Sequence, residues 1–422
     1  MPPRSSQPRY VLALLFVVYI FNFVDRNLLA ILLQDIKLEL GVSDTAMGFL
    51  TGTAFALFYT TAGIPIARLA DRGRRTVVIA LGLAAWSAMT AFSGLVRTFW
   101  QLALARVLVG VGEAAASPAA QSLLADYYPP ERRATALAIY SMGANVGILL
   151  SLAGGGFIGQ YFGWRTAFLV VGLPGLLLAL LVWATIAEPE RGAAEGVETA
   201  PDEAPSVGEA FAYLTSLPAF RHLVLAAGFY SCASYGFITW APTFLIRVHG
   251  LSQGEAGIWS GLLVGGGGAL GTYLGGRMSD TLGQRDPRWP LWTCAIGAAT
   301  MTPFAIGFLW SPSLTGAIVL WVPAAVLGHA YVAPSFALTH ALVKLRMRAL
   351  ATAMMLFSLN LLGLGLGPLL IGFANDQLVS RLGDEAIRYS LIGLLAFNLW
   401  AIVHSLLAAR SLASDLERAS EH

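Results

Sequence analysis

Twelve apolar stretches run through this chain, at about 9–34, 44–68, 76–96, 99–125, 134–160, 165–187, 219–247, 254–278, 289–310, 313–341, 349–374 and 386–409. Each is near the roughly 20 residues that cross a bilayer. With 56% hydrophobic and only 12% charged residues, a soluble fold of 422 residues would have too few charges to cover its surface. The expected class is an all-α membrane protein of twelve transmembrane helices. Glycine and proline inside several spans do not argue against this, because neighbouring helices satisfy the backbone groups they free. Cys232 and Cys294 both fall in apolar spans and read as small packing residues.

The chain is also written twice. GVSDTAMGFLTG (Gly41 to Gly52) and GLSQGEAGIWSG (Gly250 to Gly261) match at both end glycines, at Ser43/Ser252 and at Gly48/Gly257, an offset of 209 residues. That offset also carries ARLADRGRR, around Asp71, onto GRMSDTLGQR, around Asp280. RRATALA from Arg132 returns as RMRALATA from Arg346. Two related membrane halves are the organisation of a secondary transporter, with binding near the midplane. The expected division is a six-helix half over 1–190, a linker over 191–217 and a second six-helix half over 218–422.

The net charge of +2 says little, but its distribution says more. Arg68, Arg72, Arg74 and Arg75 follow span 2, and Arg132 and Arg133 follow span 4. Arg277, Arg285 and Arg288 follow span 8; Lys344, Arg346 and Arg348 follow span 10. The opposite loops carry only scattered positives. The positive-inside rule then puts both termini in the cytoplasm. Met1–Arg9 runs straight into span 1 with no small-residue cleavage site, so no cleaved signal peptide is expected. Glu188–Pro205 reads as a flexible acidic linker. Ser206 and Glu209 then have capping-box spacing before a short amphipathic helix expected to lie on the membrane surface.

Ionisable residues inside spans are costly and mark function by default. Span 1 carries Asn22, Asp25 and Arg26; three- and four-residue spacing puts Asn22 on their side of a helix. Span 4 carries Arg106 and Glu113 on one stripe, with Gly110 between them. Burial favours a neutral carboxyl and a nearby guanidinium favours a charged one. Asp25 and Glu113 are therefore the proton-coupling candidates. Arg26 and Arg106 are fixed cations. One is expected to pair with a carboxylate, leaving the other for an anionic head group. A static ion-pair brace between spans 1 and 4 is the competing reading.

The loops after spans 2 and 8 suggest a cytoplasmic gate. An aspartate at a helix end can pair with arginine and accept from a neighbouring helix N-terminus. Asp71 is expected to face Arg133, and Asp280 to face Arg348, with Arg72, Arg75 and Arg285 in the same gate. The alternative is that these arginines only set topology.

Twelve spans, the duplication and G-x-x-x-D-x-x-G-x-R after span 8 resemble the major facilitator superfamily across essentially the whole chain. The copy after span 2 departs from that pattern, with Ala67 for the usual glycine and one residue fewer. N-x-x-D-R-x-x-x-A in span 1, SDT-x-M-G before span 2, and the stretch from Gly110 to Ala136 are similar to the Spinster branch. The resemblance implies proton-driven transport of lysolipids or sphingoid-base phosphates, with sugar-linked roles also proposed. It implies that Asp25 and Glu113 are the two acids and Arg26 the lipid-phosphate ligand. Glycine-rich Gly143–Gly156 and Gly363–Pro368 look like the bending helices of the superfamily's antiporters and favour export. Lysine-poor, arginine-rich composition points to a bacterium with GC-rich DNA.

The second half has no matching carboxylate. It offers Tyr230, Tyr235 and Trp240 in span 7, His329, Tyr331 and His340 in span 10, and Asn360 in span 11. Of these Tyr230, Trp240 and Asn360 are substrate-binding candidates, against packing or interface roles. No metal spacing, phosphate loop or nucleophile elbow is present, so an enzyme is not expected. The expectation is a monomeric inner-membrane transporter working by rocker-switch alternating access, with no cofactor beyond the proton gradient. Its partners are protons, the bilayer and a small amphipathic anion, not nucleic acid. A sugar, drug or organic-anion transporter, an uncoupled lipid facilitator, and a sensor without flux are the rivals.

Overall fold

The computed structural model describes residues 7–190, 207–343 and 347–421, and every regular element among them is helical. In chain order the helices are α1 (Pro8–Leu40), α2 (Asp44–Gly48), α3 (Ala54–Arg72), α4 (Arg75–Ser93), α5 (Phe99–Glu113), α6 (Ala116–Tyr127), α7 (Pro130–Phe162), α8 (Trp164–Thr185), α9 (Val207–Ser216) and α10 (Pro218–His249). They continue as α11 (Gln253–Ser260), α12 (Gly267–Gly283), α13 (Trp289–Trp310), α14 (Leu314–Leu327), α15 (Val332–Ala341), α16 (Arg348–Ser358), α17 (Gly367–Leu382), α18 (Ala386–Leu394) and α19 (Phe397–Glu421). Nine helical stretches among the described residues are apolar and long enough to cross a bilayer; one of them, Leu350–Ala419 with 70 residues, is long enough to do so twice. The helical runs 44–72 and 253–283 supply the other two crossings, spans 2 and 8.

Several crossings are interrupted, and the interruptions have local causes. Span 4 breaks between α5 and α6, where Pro118 in the first turn of α6 has no N–H to continue the ladder. Span 10 breaks likewise before Pro334 in α15. Wider π turns occupy Phe49–Thr53, Gly261–Gly266 and Leu359–Leu366. Apolar periodicity alone does not mark such turns; the one in span 11 overlaps the glycine-rich Gly363–Pro368.

The duplicated sequence repeats a physical device. Gly41 and Gly250 both hold a positive φ, of 63° and 67°, which a side chain would resist. Ser43 and Ser252 follow as N-caps, their hydroxyls accepting from the backbone N–H of Ala46 and Glu255.

The chain divides into two compact units: Met1–Ala200 with Gly250–Gly265, and Pro201–His249 with Gly266–His422. The first unit thus includes the start of span 8. Gly254 N–H donates to Gln160 Oε1 at 2.8 Å, and Gln253 Nε2 donates to the Ile31 carbonyl at 3.0 Å. Within this unit α1 lies along α7. The facing stripe of α7 is Gly143, Gly147, Ser151, Gly155 and Gly159, four residues apart, and Ser151 donates to the Val24 carbonyl. A Cβ on Gly147 would stand 2.6 Å from the Ile20 oxygen. Small residues let the backbones approach, which in lipid replaces the hydrophobic drive as the source of packing energy.

In the second unit α10 packs on α19. Asp415 accepts from Ala219 N–H at 2.7 Å, placing a carboxylate at the N-terminus of α10. Phe237, Phe244, Phe308 and Trp321 form its aromatic core. Cys232 and Cys294 are free and buried. The helix α9 begins at Val207; Ser206 and the segment 191–206 lie outside the described residues.

Candidate functional site

The first unit encloses two ion pairs in its interior. Asp25 and Arg106 are 1% and 0% exposed, and Arg106 Nη1 lies 3.3 Å from Asp25 Oδ1. Glu113 is 1% exposed, and Arg26 donates to its Oε2 from Nη2 at 2.7 Å and from Nε at 3.2 Å. The expectation of one paired and one available arginine is therefore corrected: each arginine holds one carboxylate. Two charges of each sign cancel, which is what makes burial in a low-dielectric interior tolerable. Asn22, also buried, accepts a longer bond of 3.4 Å from Arg26 Nη2.

Spacing explains the pairing. Asp25 and Arg26 are adjacent on α1, while Arg106 and Glu113 are two turns apart on α5, so each member of the first pair meets its own partner. Aromatic rings complete the enclosure. The Arg26 guanidinium stands 4.9 Å from the ring centroids of Phe23, Phe55 and Tyr59. Arg106 stands 5.6 Å from Phe55. Guanidinium is weakly hydrated and tolerates such faces. Gly110 permits this: a Cβ there would sit 2.7 Å from the Phe55 carbonyl oxygen. Buried Arg106 Nε and Nη2 and Glu113 Oε1 have no hydrogen-bond partner among the described residues, so the pairs retain capacity for a polar guest.

Thr90, on α4, was missed in the sequence. Its hydroxyl is fully buried and lies within hydrogen-bond reach of Asp25 Oδ2 and of the Trp86 carbonyl. A threonine in an apolar helix carries no signal by itself. Nor did the duplication, at its 209-residue offset, reveal a counterpart of Glu113. At an offset of 216, GEAAASP from Gly112 overlays GHAYVAP from Gly328, placing His329 opposite Glu113 at the same helix break. His329 contacts the Ala325 carbonyl through Nδ1 at 3.1 Å and packs on Gly268.

The substrate-binding candidates of the second unit are engaged structurally. Tyr230 donates its hydroxyl to the Leu327 carbonyl at 2.8 Å and stacks on Tyr331 at 4.2 Å. Trp240 Nε1 donates to the Pro368 carbonyl at 3.0 Å. Asn360 Nδ2 donates to the Leu356 carbonyl one turn earlier at 2.8 Å. These contacts tie Tyr230 and Trp240 into the packing of the second unit.

The expected cytoplasmic gate falls only partly within the described side chains. The side chains of Asp71 and Arg72 lie outside the described residues, and Arg133 donates to the Ala125 carbonyl at 3.0 Å. Asp280, Arg285 and Arg348 are exposed, and no ion pair joins them among the described residues. Exposed charges gain little from pairing in water. Arg75 instead is buried inside the first unit. It pairs with Asp126, a contact that the sequence did not suggest, and with Glu188 Oε1 at 2.9 Å, and donates to Ser122 Oγ at 3.1 Å. Glu188 Oε2 accepts from Thr76 N–H and hydroxyl at 2.9 and 2.8 Å. The start of the acidic linker is thus pinned beneath α4 rather than free.

This clamp is a pH-sensitive brace. Burial pushes the Glu188 carboxyl up, but the Thr76 donors and the Arg75 guanidinium outweigh it and hold the group below its ordinary 4.5. A lowered carboxyl adds stability above its unfolded value and loses it as pH falls through the folded value. Thermal melts in detergent should therefore show Glu188→Gln less stable than wild type at neutral pH. The gap should close as pH drops below about 4.5; a constant gap contradicts the clamp.

The family model for the Major Facilitator Superfamily matches residues 15–368. The chain belongs to that superfamily. A bacterial homologue of the human lysosomal transporter Spinster, solved inward-facing and unoccupied, superposes with a TM-score of 0.89 at 34% identity, over 97% of this chain and 98% of that one. An MFS-type efflux pump of Mycolicibacterium smegmatis is 36% identical over 421 residues, 99% of this chain and 96% of that protein. Human protein spinster homolog 1 is 30% identical over 404 residues, 89% of this chain and 74% of that protein. The chain is a multi-pass transporter of the Spinster type within the facilitator superfamily.

Proposed function

We propose that this facilitator is a proton-coupled secondary transporter of amphipathic lipids with anionic head groups, lysophospholipid- or sphingoid-phosphate-like, in a bacterial inner membrane with both termini cytoplasmic. The observation that carries the reading is the buried double pair Asp25–Arg106 and Arg26–Glu113. Both guanidiniums are permanent charges, so only the carboxylates can change state. A proton on Glu113 or Asp25 weakens its hold on the paired arginine. That arginine then has a phosphate or carboxylate head group as its best partner. Protonation and head-group occupancy are in this way linked through shared guanidiniums, and alternating access turns the linkage into transport. Glycine-rich spans 5 and 11 support antiport in the export direction.

The test is flux of a labelled lysophospholipid in proteoliposomes, under pH gradients of either sign, for wild type and Asp25→Asn. Gradient-driven flux in wild type should fall to background in Asp25→Asn while its melting behaviour in detergent is retained. Antiport predicts acceleration when the side opposite the lipid is acidic. Flux indifferent to the gradient in wild type overturns proton coupling and favours a facilitator. A second reading, proton-driven export of other amphipathic solutes, is favoured by the full-length match to the mycobacterial efflux pump. It predicts that cationic dyes are carried while lysophospholipid is not.

A further inference from the structure

We propose that Thr90 is the positioning residue that holds Asp25 in both of its protonation states, by turning one hydroxyl between two acceptors. The inference rests on the proton-coupled reading of Asp25. Thr90 Oγ1 is within hydrogen-bond reach of Asp25 Oδ2 and 2.9 Å from the Trp86 carbonyl, on its own helix one turn earlier. A hydroxyl has one proton to donate and lone pairs to accept with. It therefore cannot donate to both oxygens at once. With Asp25 ionised, the Thr90 O–H points to Oδ2 and the Trp86 carbonyl keeps its helical bond. With a proton on Oδ2, the Asp25 O–H donates to Thr90 Oγ1, and the Thr90 O–H turns to the Trp86 carbonyl. The Thr90–Asp25 bond persists with its donor reversed, and the hydroxyl's bond to the Trp86 carbonyl forms only in the protonated state; the rotor turns while the heavy atoms stay in place. Both states are then satisfied with the carboxyl in one place, its Oδ1 still 3.3 Å from Arg106 Nη1.

The surroundings make this rotor consequential. Thr90 and Asp25 are 0% and 1% exposed, so a lost partner inside the protein has no ready substitute. The helix α4 is held firmly against α8, where a Cβ on Gly172 would stand 2.4 Å from Ala91 N and one on Gly175 would stand 2.2 Å from Ser87 Oγ. The charged and titratable groups facing Asp25 are few. Arg26 is its neighbour on α1, and Arg106 and Glu113 come from α5. On α7 Tyr140 is stacked on Tyr19 at 4.3 Å, and on α3 the Tyr59 ring stands 4.9 Å from the Arg26 guanidinium. The charges on α8 and α6 are at the far ends, with Arg165 paired to Glu39 and Asp126 paired to Arg75. On α2, Asp44 pairs with Lys37, and on α11, Glu255 bonds Ser252.

The test reads the carboxyl directly and does not depend on transport. Infrared spectra of the full-length protein in lipid are recorded against pH, and the protonated-carboxyl band of Asp25 is identified by its loss in Asp25→Asn. A hydrogen bond to the ion is stronger than one to the neutral acid. Thr90→Val, which keeps shape and removes the hydroxyl, should therefore move the titration midpoint up by about one pH unit. Thr90→Ser should leave it at the wild-type value, and Thr90→Ala repeats the Val measurement if Val fails to fold. A wild-type midpoint in folded Thr90→Val, or an equal shift in Thr90→Ser, overturns the role of Thr90 while leaving Asp25 as a proton site. Absence of any titrating band lost in Asp25→Asn overturns the proton-coupled reading of Asp25, and this inference with it.

Discussion

Replacing Arg106 by alanine is expected to cost about 3–5 kcal/mol of stability and to abolish gradient-driven flux. Arg106 is fully buried, and its guanidinium is the cation that faces Asp25 Oδ1 at 3.3 Å. Removing it leaves a carboxylate 1% exposed with only the Thr90 hydroxyl and the more distant Arg26 to offset its charge. The Phe55 ring also loses one of the two cations above it. The carboxyl can relieve the strain by keeping a proton, and a permanently protonated Asp25 cannot cycle. Two signatures should therefore appear together: a lowered melting temperature in detergent, and flux that no longer responds to pH. Adding Asp25→Asn should restore much of the stability and none of the coupling, because a neutral amide needs no cation. If Arg106→Ala melts like wild type, the buried Asp25 carboxylate does not depend on Arg106 for its charge balance.

Gly147→Leu should have an effect of similar size by a different route. A Cβ at Gly147 would lie 2.6 Å from the Ile20 oxygen and 2.7 Å from Phe23 Cβ, before the rest of the leucine is placed. Ordinary overpacking costs about 1–3 kcal/mol. Here the obstructing atom is backbone and cannot rotate away, so α1 must move off α7 or the chain must fail to assemble. Asp25 and Arg26 ride on α1 within one turn of Phe23, and displacement separates them from Arg106 and Glu113. Flux should fall at least about tenfold, beyond the loss that stability alone predicts. Gly154→Leu on the same helix is the control: nothing lies within 4 Å of a Cβ there, so expression and flux should stay near wild type. Equal behaviour of the two variants contradicts the close-packed seam.

The crossings were legible because a bilayer permits few solutions. Apolar runs of the right length must become helices, and their number and family pattern follow from the chain alone. The candidate acids were legible for the same reason, since Asp25 and Glu113 stand out where ionisable groups are costly. The repeated Gly41/Gly250 and Ser43/Ser252 are also understandable locally, as a left-handed turn and an N-cap. Other features left no such mark. Thr90 looks like any threonine in an apolar helix. Asp126 and Glu188 lie in stretches that read as a loop and a linker, and only folding brings them to Arg75. The partners of Tyr230 and Trp240 were equally hidden, because aromatic residues with polar tips are ambiguous until those partners are known.

Class, crossings, family and the candidate charges follow from composition and spacing alone, because those are read against a solvent of known thickness and polarity. That Arg26 takes Glu113 and Arg106 takes Asp25, that Thr90 stands beside that carboxyl, and that the start of span 8 belongs with the first unit is visible only once the chain is folded. Those outcomes depend on which helices approach closely. Helix approach is set by steric fit between distant residues such as Gly147 and Ile20, and no local pattern in the chain records that fit.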